Sequence, residues 1–305
     1  MEQDVTNTYP NLNLEELVDR LEATGDFRVL RRLKLSEHIE PSDSSRNRTG
    51  MFLDVESTGL DVGTSEILEL AIMPFEYGAD GRVVSVGQPL HQFNEPATSI
   101  PPEITAITGL TDELVAGHRL DIPAIEAFVE QTDVLLAHNA AFDRPFVERI
   151  SPIFAAKPWA CTMCDVPWKG EGFEGRRLSD LLYKFHYFFD AHRAVDDCEA
   201  GIALLTMKLP KSGERVLSCV LKAARQSTWR IFADAAPFEM KDALKNRGYK
   251  WNADRAIGPR AWWKDVPSDL IDAEVEFLQS EVLRSPVQLP MFEITAFQRY
   301  SGRIR

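Results

Sequence analysis

Three apolar or alternating runs follow one another from residue 50: Met51 to Glu56, Glu66 to Phe75 and Arg82 to Gln92. Turns containing Gly63, and then Gly78-Ala79-Asp80-Gly81, separate them, which predicts an antiparallel meander. After it the pattern turns helical. Pro101-Pro102-Glu103 opens a short helix, Thr111 caps another, and Ile122, Ile125, Ala127 and Phe128 fall at helical spacing in a third. Val134 to Ala137 reads as a short buried strand ending at His138-Asn139, and a helix through Ala141, Phe142, Phe146, Val147 and Ile150 follows at once. A strand at Trp159 to Thr162, an amphipathic helix with Leu178, Leu181, Leu182 and Phe185, and a helix from about Arg193 to Lys208 complete the region. Strands first, then strands alternating with helices, predict an α/β domain built on one mixed sheet covered by helices.

The flanks read differently. The 305 residues suit two domains. Asn13 and Glu16 form a capping-box pattern ahead of Leu14, Leu17, Val18 and Leu21, so a helix should run to about Ala23, where Gly25 breaks it. Phe27, Leu30 and Leu33 continue as a second short helix, making 1–49 a helical hairpin with a linker at Glu40 to Thr49 and a frayed start over residues 1–11. The sheet domain then occupies 50–210, a small basic and aromatic α+β module 211–284, and an extended tail marked by Pro286 and Pro290 occupies 285–305.

The first strand ends in Asp54-Val55-Glu56-Ser57-Thr58-Gly59. Residues i and i+2 of a strand share a face, so Asp54 and Glu56 converge while Val55 points into the core. Two anions side by side call for a cation. Asp143 lies one turn into the helix after Val134 to Ala137, near the strand's carboxyl end, where open sheets place ligands. Further on comes His192-Arg193-Ala194-Val195-Asp196-Asp197. Ala194, Cys198, Ile202 and Leu205 define the buried stripe of that helix; Asp197 sits beside flanking Gly201 and Leu204, and Asp196 points to solvent. Asp197 is therefore the expected ligand, and Asp196→Asn is expected to be mild. His192 meets Asp197 at one site if it lies in the loop just before the helix.

These pieces, D-x-E on a strand, H-N-A-A-F-D entering a helix and H-R-A-V-D-D opening the last one, come in that order over about 145 residues. They closely resemble the three sequence blocks of the DEDDh (DnaQ-like) 3'-5' exonucleases, the family of the bacterial proofreading subunit. The resemblance covers roughly 50–208 and includes Ile104 to Thr111, with Thr108 where many members carry histidine. It implies a ribonuclease H-like fold, with the meander joined to parallel strands. It also implies a metal-dependent hydrolase acting at the 3' end of a nucleic acid. Four carboxylates with no thiolate or paired imidazole suit two Mg2+ or Mn2+ ions, which activate a water and stabilise the leaving oxygen when about 3.5 to 4 Å apart. By that similarity Asp54 bridges the ions, Glu56 and Asp197 hold the first, and Asp143 holds the second, partly through water. His192 is the general base, a role that suits imidazole, which titrates near about 6.5. Thr58, Gly59 and Leu60 meet the terminal 3' hydroxyl and last base, and Asn139 and Phe142 line the strand's path, with Phe142 as helix core the alternative.

The resemblance leaves DNA or RNA open as substrate, with single-stranded DNA the expected partner. A non-catalytic nucleic-acid or polymerase-binding protein is the rival from another class, against which stands the complete set of four acids and the histidine. A net charge of −13 argues against a surface that coats nucleic acid throughout. Residues 211–265 nevertheless hold 12 Lys/Arg against 6 Asp/Glu. Trp229, Trp251, Trp262 and Trp263 lie in the same stretch, which resembles a helix-plus-hairpin module attached to several DNA-processing proteins. Such interleaving can grip single strands, or the tryptophans form the module's own core. Gln288-Leu289-Pro290-Met291-Phe292 looks like a peptide that docks on a bacterial sliding clamp, a tail strand packing back being the alternative. Cys161 and Cys164 form a C-x-x-C without the further ligands of a zinc site, so reduced thiols are expected. With no membrane-length apolar run and no signal-like start, the chain reads as cytoplasmic.

Overall fold

The computed structural model describes residues 13–36, 47–253 and 258–304; the frayed start and most of the linker reading lie outside the described residues. In chain order the labelled elements begin with α1 (Leu14–Ala23), β1 (Arg31–Arg32), β2 (Arg48–Ser57), β3 (Ile67–Tyr77), β4 (Val83–Val86) and β5 (Leu90–Phe93). Next come α2 (Pro102–Thr108), α3 (Asp112–Val115), α4 (Ile122–Val129), β6 (Val134–Ala137), α5 (Ala140–Ile150), β7 (Trp159–Cys161), α6 (Leu178–Lys184), β8 (Tyr187–Phe188), α7 (Ala194–Thr206) and α8 (Val216–Arg225). The C-terminal part holds β9 (Thr228–Ala233), α9 (Lys241–Asn246), β10 (Lys250–Trp251), β11 (Trp262–Pro267), α10 (Ile271–Phe277) and β12 (Met291–Ile294).

The central sheet has the order β4-β3-β2-β6-β7, with β5 also on β3. β2–β3, β3–β4 and β3–β5 are antiparallel, whereas β2–β6 and β6–β7 are parallel, so the predicted mixed sheet is what forms. Its two faces are both buried. Phe52, Ala71, Met73 and Phe75 pack with α6, α7 and α8 on one side, and Met51, Leu53, Val55 and Ile72 with α4 and α5 on the other. The predicted third strand is broken in two: Gly87 still donates to the Pro74 carbonyl at 2.8 Å, but Pro89 has no N–H to offer the ladder, and pairing with β3 resumes at Leu90 one residue out of register.

The N-terminal hairpin of helices does not form. α1 is present, with the Asn13 side chain accepting from the Glu16 N–H, but it buries none of its residues. In place of a second helix, β1 pairs in parallel with β8, and Arg31 and Leu33 donate to the carbonyls of His186 and Phe188 at 2.8 Å. Leu33 and Leu35, two apart, pack on the main core, and this strand period prevails over the three-residue spacing of Phe27, Leu30 and Leu33.

In the C-terminal part an antiparallel sheet β10-β11-β9-β12 is covered on one face by α9 and α10. Its core is Ile231, Ala233, Leu244, Tyr249, Val266, Leu278, Val282 and Leu289. The four tryptophans divide: Trp262 packs partly buried against that core, Trp251 is half exposed, and Trp229 and Trp263 are partly buried. The tail is not free either. Met291–Ile294 lies hydrogen-bonded beside β9, so clamp docking would require this strand to come away. Beyond it, Ala296, Phe297 and Arg299 turn their carbonyls onto the guanidinium of Arg144 in α5.

Candidate active site

β2 outruns its parallel neighbour: its ladder with β6 covers Gly50 to Phe52, while β2 continues to Ser57. The freed edge is where the acids gather. Asp54 and Glu56 share the Phe52 face of β2, directed to the α7 layer. Gly201 allows α7 to approach, since a Cβ there would lie 2.1 Å from Phe52 Cζ. One turn earlier on α7, Asp197 joins the pair: carboxylate oxygens of Asp54, Glu56 and Asp197 all lie within 4.8 Å of one another. Asp143 arrives on α5 from the opposite layer. Its Oδ1 accepts the Val55 N–H at 3.1 Å, while its Oδ2 is buried with no hydrogen-bond partner among the described residues.

Crowding of these charges shows in their proton affinities. Burial raises Asp54 well above the ordinary carboxylate range, and the charges of Asp143, Asp197 and Glu56 raise it further. Glu56 is pushed up to about 8, first by burial and then by Asp197 and Glu69. Burial likewise raises Asp143 well above its usual value against the Val55 N–H, and raises Asp197 to about 6 against the His192 N–H. A divalent cation held by these acids would offset this repulsion, and Asp143 Oδ2 is a buried oxygen free to accept it. The donor set is all oxygen, so it fits a hard cation.

His192 occupies the loop before α7, as predicted, at φ 72°. Its N–H donates to Asp197 Oδ2 at 2.7 Å, and its imidazole is exposed. Asp196 is partly exposed and outside the acid group. In the turn after β2, the Thr58 hydroxyl accepts from the Glu66 N–H at 3.0 Å. At Gly59 the turn runs close to Ser65, whose Oγ would lie 2.8 Å from a Cβ there. Leu60, four residues after Glu56, is a large apolar side chain 85% exposed. Asn139 caps α5 with left-handed backbone and makes no side-chain capping bond. Phe142 packs on Phe146 at 5.1 Å between ring centroids and belongs with the partly buried core, which favours its alternative reading. Thr108 is a local capping residue, its hydroxyl bonded to the Ile104 carbonyl and Leu110 N–H.

Sequence reasoning overlooked Glu69, which stands opposite Glu56 in the β2–β3 register and is fully buried. His91 Nε2 at 2.7 Å, the Arg193 guanidinium at 3.1 Å and the Ala194 N–H at 3.3 Å converge on its carboxylate. This cluster pins the start of α7, and so the placement of His192 and Asp197, to β3. The signal available was one acid inside the otherwise apolar run Ile67-Leu68-Glu69-Leu70.

A mixed sheet whose central strand presents two acids, completed by one acid from a helix on each face, gathers an all-oxygen donor set that would suit a hard cation. The chain belongs to the exonuclease family (RNase_T), whose model matches residues 51–205, about half of its 305 residues. The DNA polymerase III PolC-type of Listeria monocytogenes is 29% identical over 187 residues, 59% of this chain and 12% of that protein. The PolC-type protein of Bacillus subtilis is 29% identical over 175 residues, 55% of this chain and again 12% of that one. The chain thus spans about an eighth of the length of the curated relatives it matches. Among solved structures, exonuclease X in complex with 5' overhanging duplex DNA is 24% identical with a TM-score of 0.42, covering 56% of this chain and 99% of that one. The zinc-bound E. coli ExoI complex with single-stranded DNA is 16% identical with a TM-score of 0.49, covering 73% and 63%.

Proposed function

We propose that this chain is a metal-dependent 3'-5' exonuclease removing nucleotides from the 3' end of single-stranded DNA, in the cytoplasm. The observation that carries the reading is the acid group itself: three carboxylates within 4.8 Å and a fourth whose buried oxygen has no partner among the described residues. The matched relatives are named as DNA polymerases, which favours DNA and a proofreading or repair role. Four free cysteines, with no disulfide among the described residues, fit a reducing compartment. Among the described residues no helix is long and apolar enough to cross a membrane.

Asp54, Glu56, Asp143 and Asp197 would hold two Mg2+ or Mn2+ ions, which supply a water of lowered pKa and positive charge at the leaving 3' oxygen. The chain provides the rest. His192, exposed next to Asp197, takes the proton of the attacking water, and Asp197 fixes the backbone that presents it. Leu60 projects where it can wedge against the terminal base, with Thr58 and Gly59 shaping the turn for the 3' hydroxyl and Asn139 facing the incoming strand. Docking of Gln288 to Phe292 on a sliding clamp would be a separate property, and it costs the β12 ladder.

A 5'-labelled strand with Mg2+ or Mn2+ tests the reading. Shortening from the 3' end that Asp54→Ala or His192→Ala abolishes supports it; an unshortened strand at about pH 8 with Mn2+ present overturns it. A matched RNA strand degraded in preference to DNA would move the assignment to an exoribonuclease.

A further inference from the structure

The C-terminal sheet has one covered face and one that is not. Ile231, Ala233 and Val266 point to α9 and α10, so alternation along the strands puts Arg230, Phe232, Trp263 and Lys250 on the other face. That face looks onto the exonuclease domain across a cleft of about 600 Å3. The opposite wall includes Ala141, in the first turn of α5, with Cys164, Asp165 and Tyr300. The cleft therefore reaches the helix that carries Asp143, beside Asn139, whose side chain caps nothing.

The charges in the cleft are unequal. Asp265 is taken up by the Arg230 guanidinium, with two bonds of 2.7 and 2.9 Å. Asp165 accepts from the Cys161 N–H at 2.7 Å and from the Tyr300 hydroxyl, with Arg299 at 3.7 Å. Lys250, by contrast, has no carboxylate partner among the described residues, and its ammonium stands 5.4 Å from the Trp263 ring centroid. The Arg230 guanidinium lies over the same ring, 4.0 Å from its centroid. In a chain of net charge −13, a partly exposed indole beside an unneutralised ammonium is a local exception. A phosphate and a base plane are the chemistry that such a pair accepts.

We propose that this cleft is the track of the single strand, holding nucleotides on the 5' side of the one whose 3' end lies at the four acids. Trp263 stacks a base, Lys250 contacts a phosphate, and the strand passes the first turn of α5 to reach the site. The proposal rests on the exonuclease reading for its direction, but its binding test does not need hydrolysis.

The test uses the full chain in EDTA, reading anisotropy of a labelled oligothymidylate of roughly 20 nucleotides and of a labelled trinucleotide. Trp263→Ala and Lys250→Glu should each weaken the long strand at least about tenfold and leave the trinucleotide within about twofold. Lys250→Glu should also lower the salt dependence of long-strand binding by about one unit of log–log slope. Lys250 is exposed, so that variant decides the matter if Trp263→Ala fails to fold. Unchanged long-strand affinity, absent long-strand binding by the unsubstituted protein, or an equal loss on the trinucleotide would each overturn the track. A protein that binds as expected but hydrolyses neither strand with Mn2+ would overturn the exonuclease reading and leave the track standing.

Discussion

Glu56 and Glu69 face each other across β2 and β3, yet their surroundings move them in opposite directions. Burial works against both. For Glu69 it is outweighed by His91, Arg193 and the Ala194 N–H, which hold the carboxyl below its usual value. Glu56 lacks such a set and rises to about 8. In the folded protein Glu56 thus holds its proton more tightly than in the unfolded chain. The metal-free fold keeps the resulting stability below the ordinary value of 4.5 and loses it as pH climbs through about 8, with Asp197 losing its share through about 6. The expected outcome in EDTA is a melting temperature that falls by several degrees from about pH 5 to about pH 8, and a Mg2+-induced rise that is larger at the higher pH. Thermal melts at the two pH values, with and without Mg2+, check it. The acids themselves were legible because two residues on a strand and a loop-to-helix block have fixed directions. Glu69 was not, since its partners lie 22 and 124 residues away and a lone strand acid reads equally well as solvated.

At the scale of elements, the site depends on how closely α7 lies on β2. Gly201 sets that distance, and Gly201→Ala would place a methyl inside the Phe52 ring. Overpacking of this kind costs about 1–3 kcal/mol, and tilting α7 separates Asp197 from Asp54, with roughly a hundredfold loss of turnover expected. Denaturant midpoints and strand-shortening rates read the two effects separately. The helices around the site were readable because their apolar period survives wherever one face is buried. The second N-terminal helix and the unbroken third strand were misread where the pattern is short: Leu33 and Leu35 follow a strand period, and Pro89 divides one run into two strands on the same neighbour.

For the molecule as a whole, the division near residue 210 is a proposal that the contacts qualify. Arg144, next to Asp143, is fully buried, and besides Glu148 its guanidinium is held by the carbonyls of Ala296, Phe297 and Arg299, more than 150 residues away. Trp159 in β7 donates its backbone N–H to Ala296 as well. No local pattern in the chain could announce such a latch. Removing residues 295–304 should leave the Arg144 guanidinium with Glu148 but without its three carbonyl acceptors and cost about 1–3 kcal/mol, while Arg144→Met, which also withdraws the donors, should cost less. Chemical denaturation of the two variants tests that order.

The central claim is that these four acids and His192 release nucleotides one at a time from a 3' end. Its most direct measurement is the order of release from a single DNA strand carrying a different base at each of its last three positions, followed by mass spectrometry with Mg2+ present. Hydrolysis at the site as read gives nucleoside 5'-monophosphates in sequence from the 3' terminus, and none from Asp54→Ala. Release beginning at the 5' end, cleavage at internal bonds, or the same products from Asp54→Ala would contradict it.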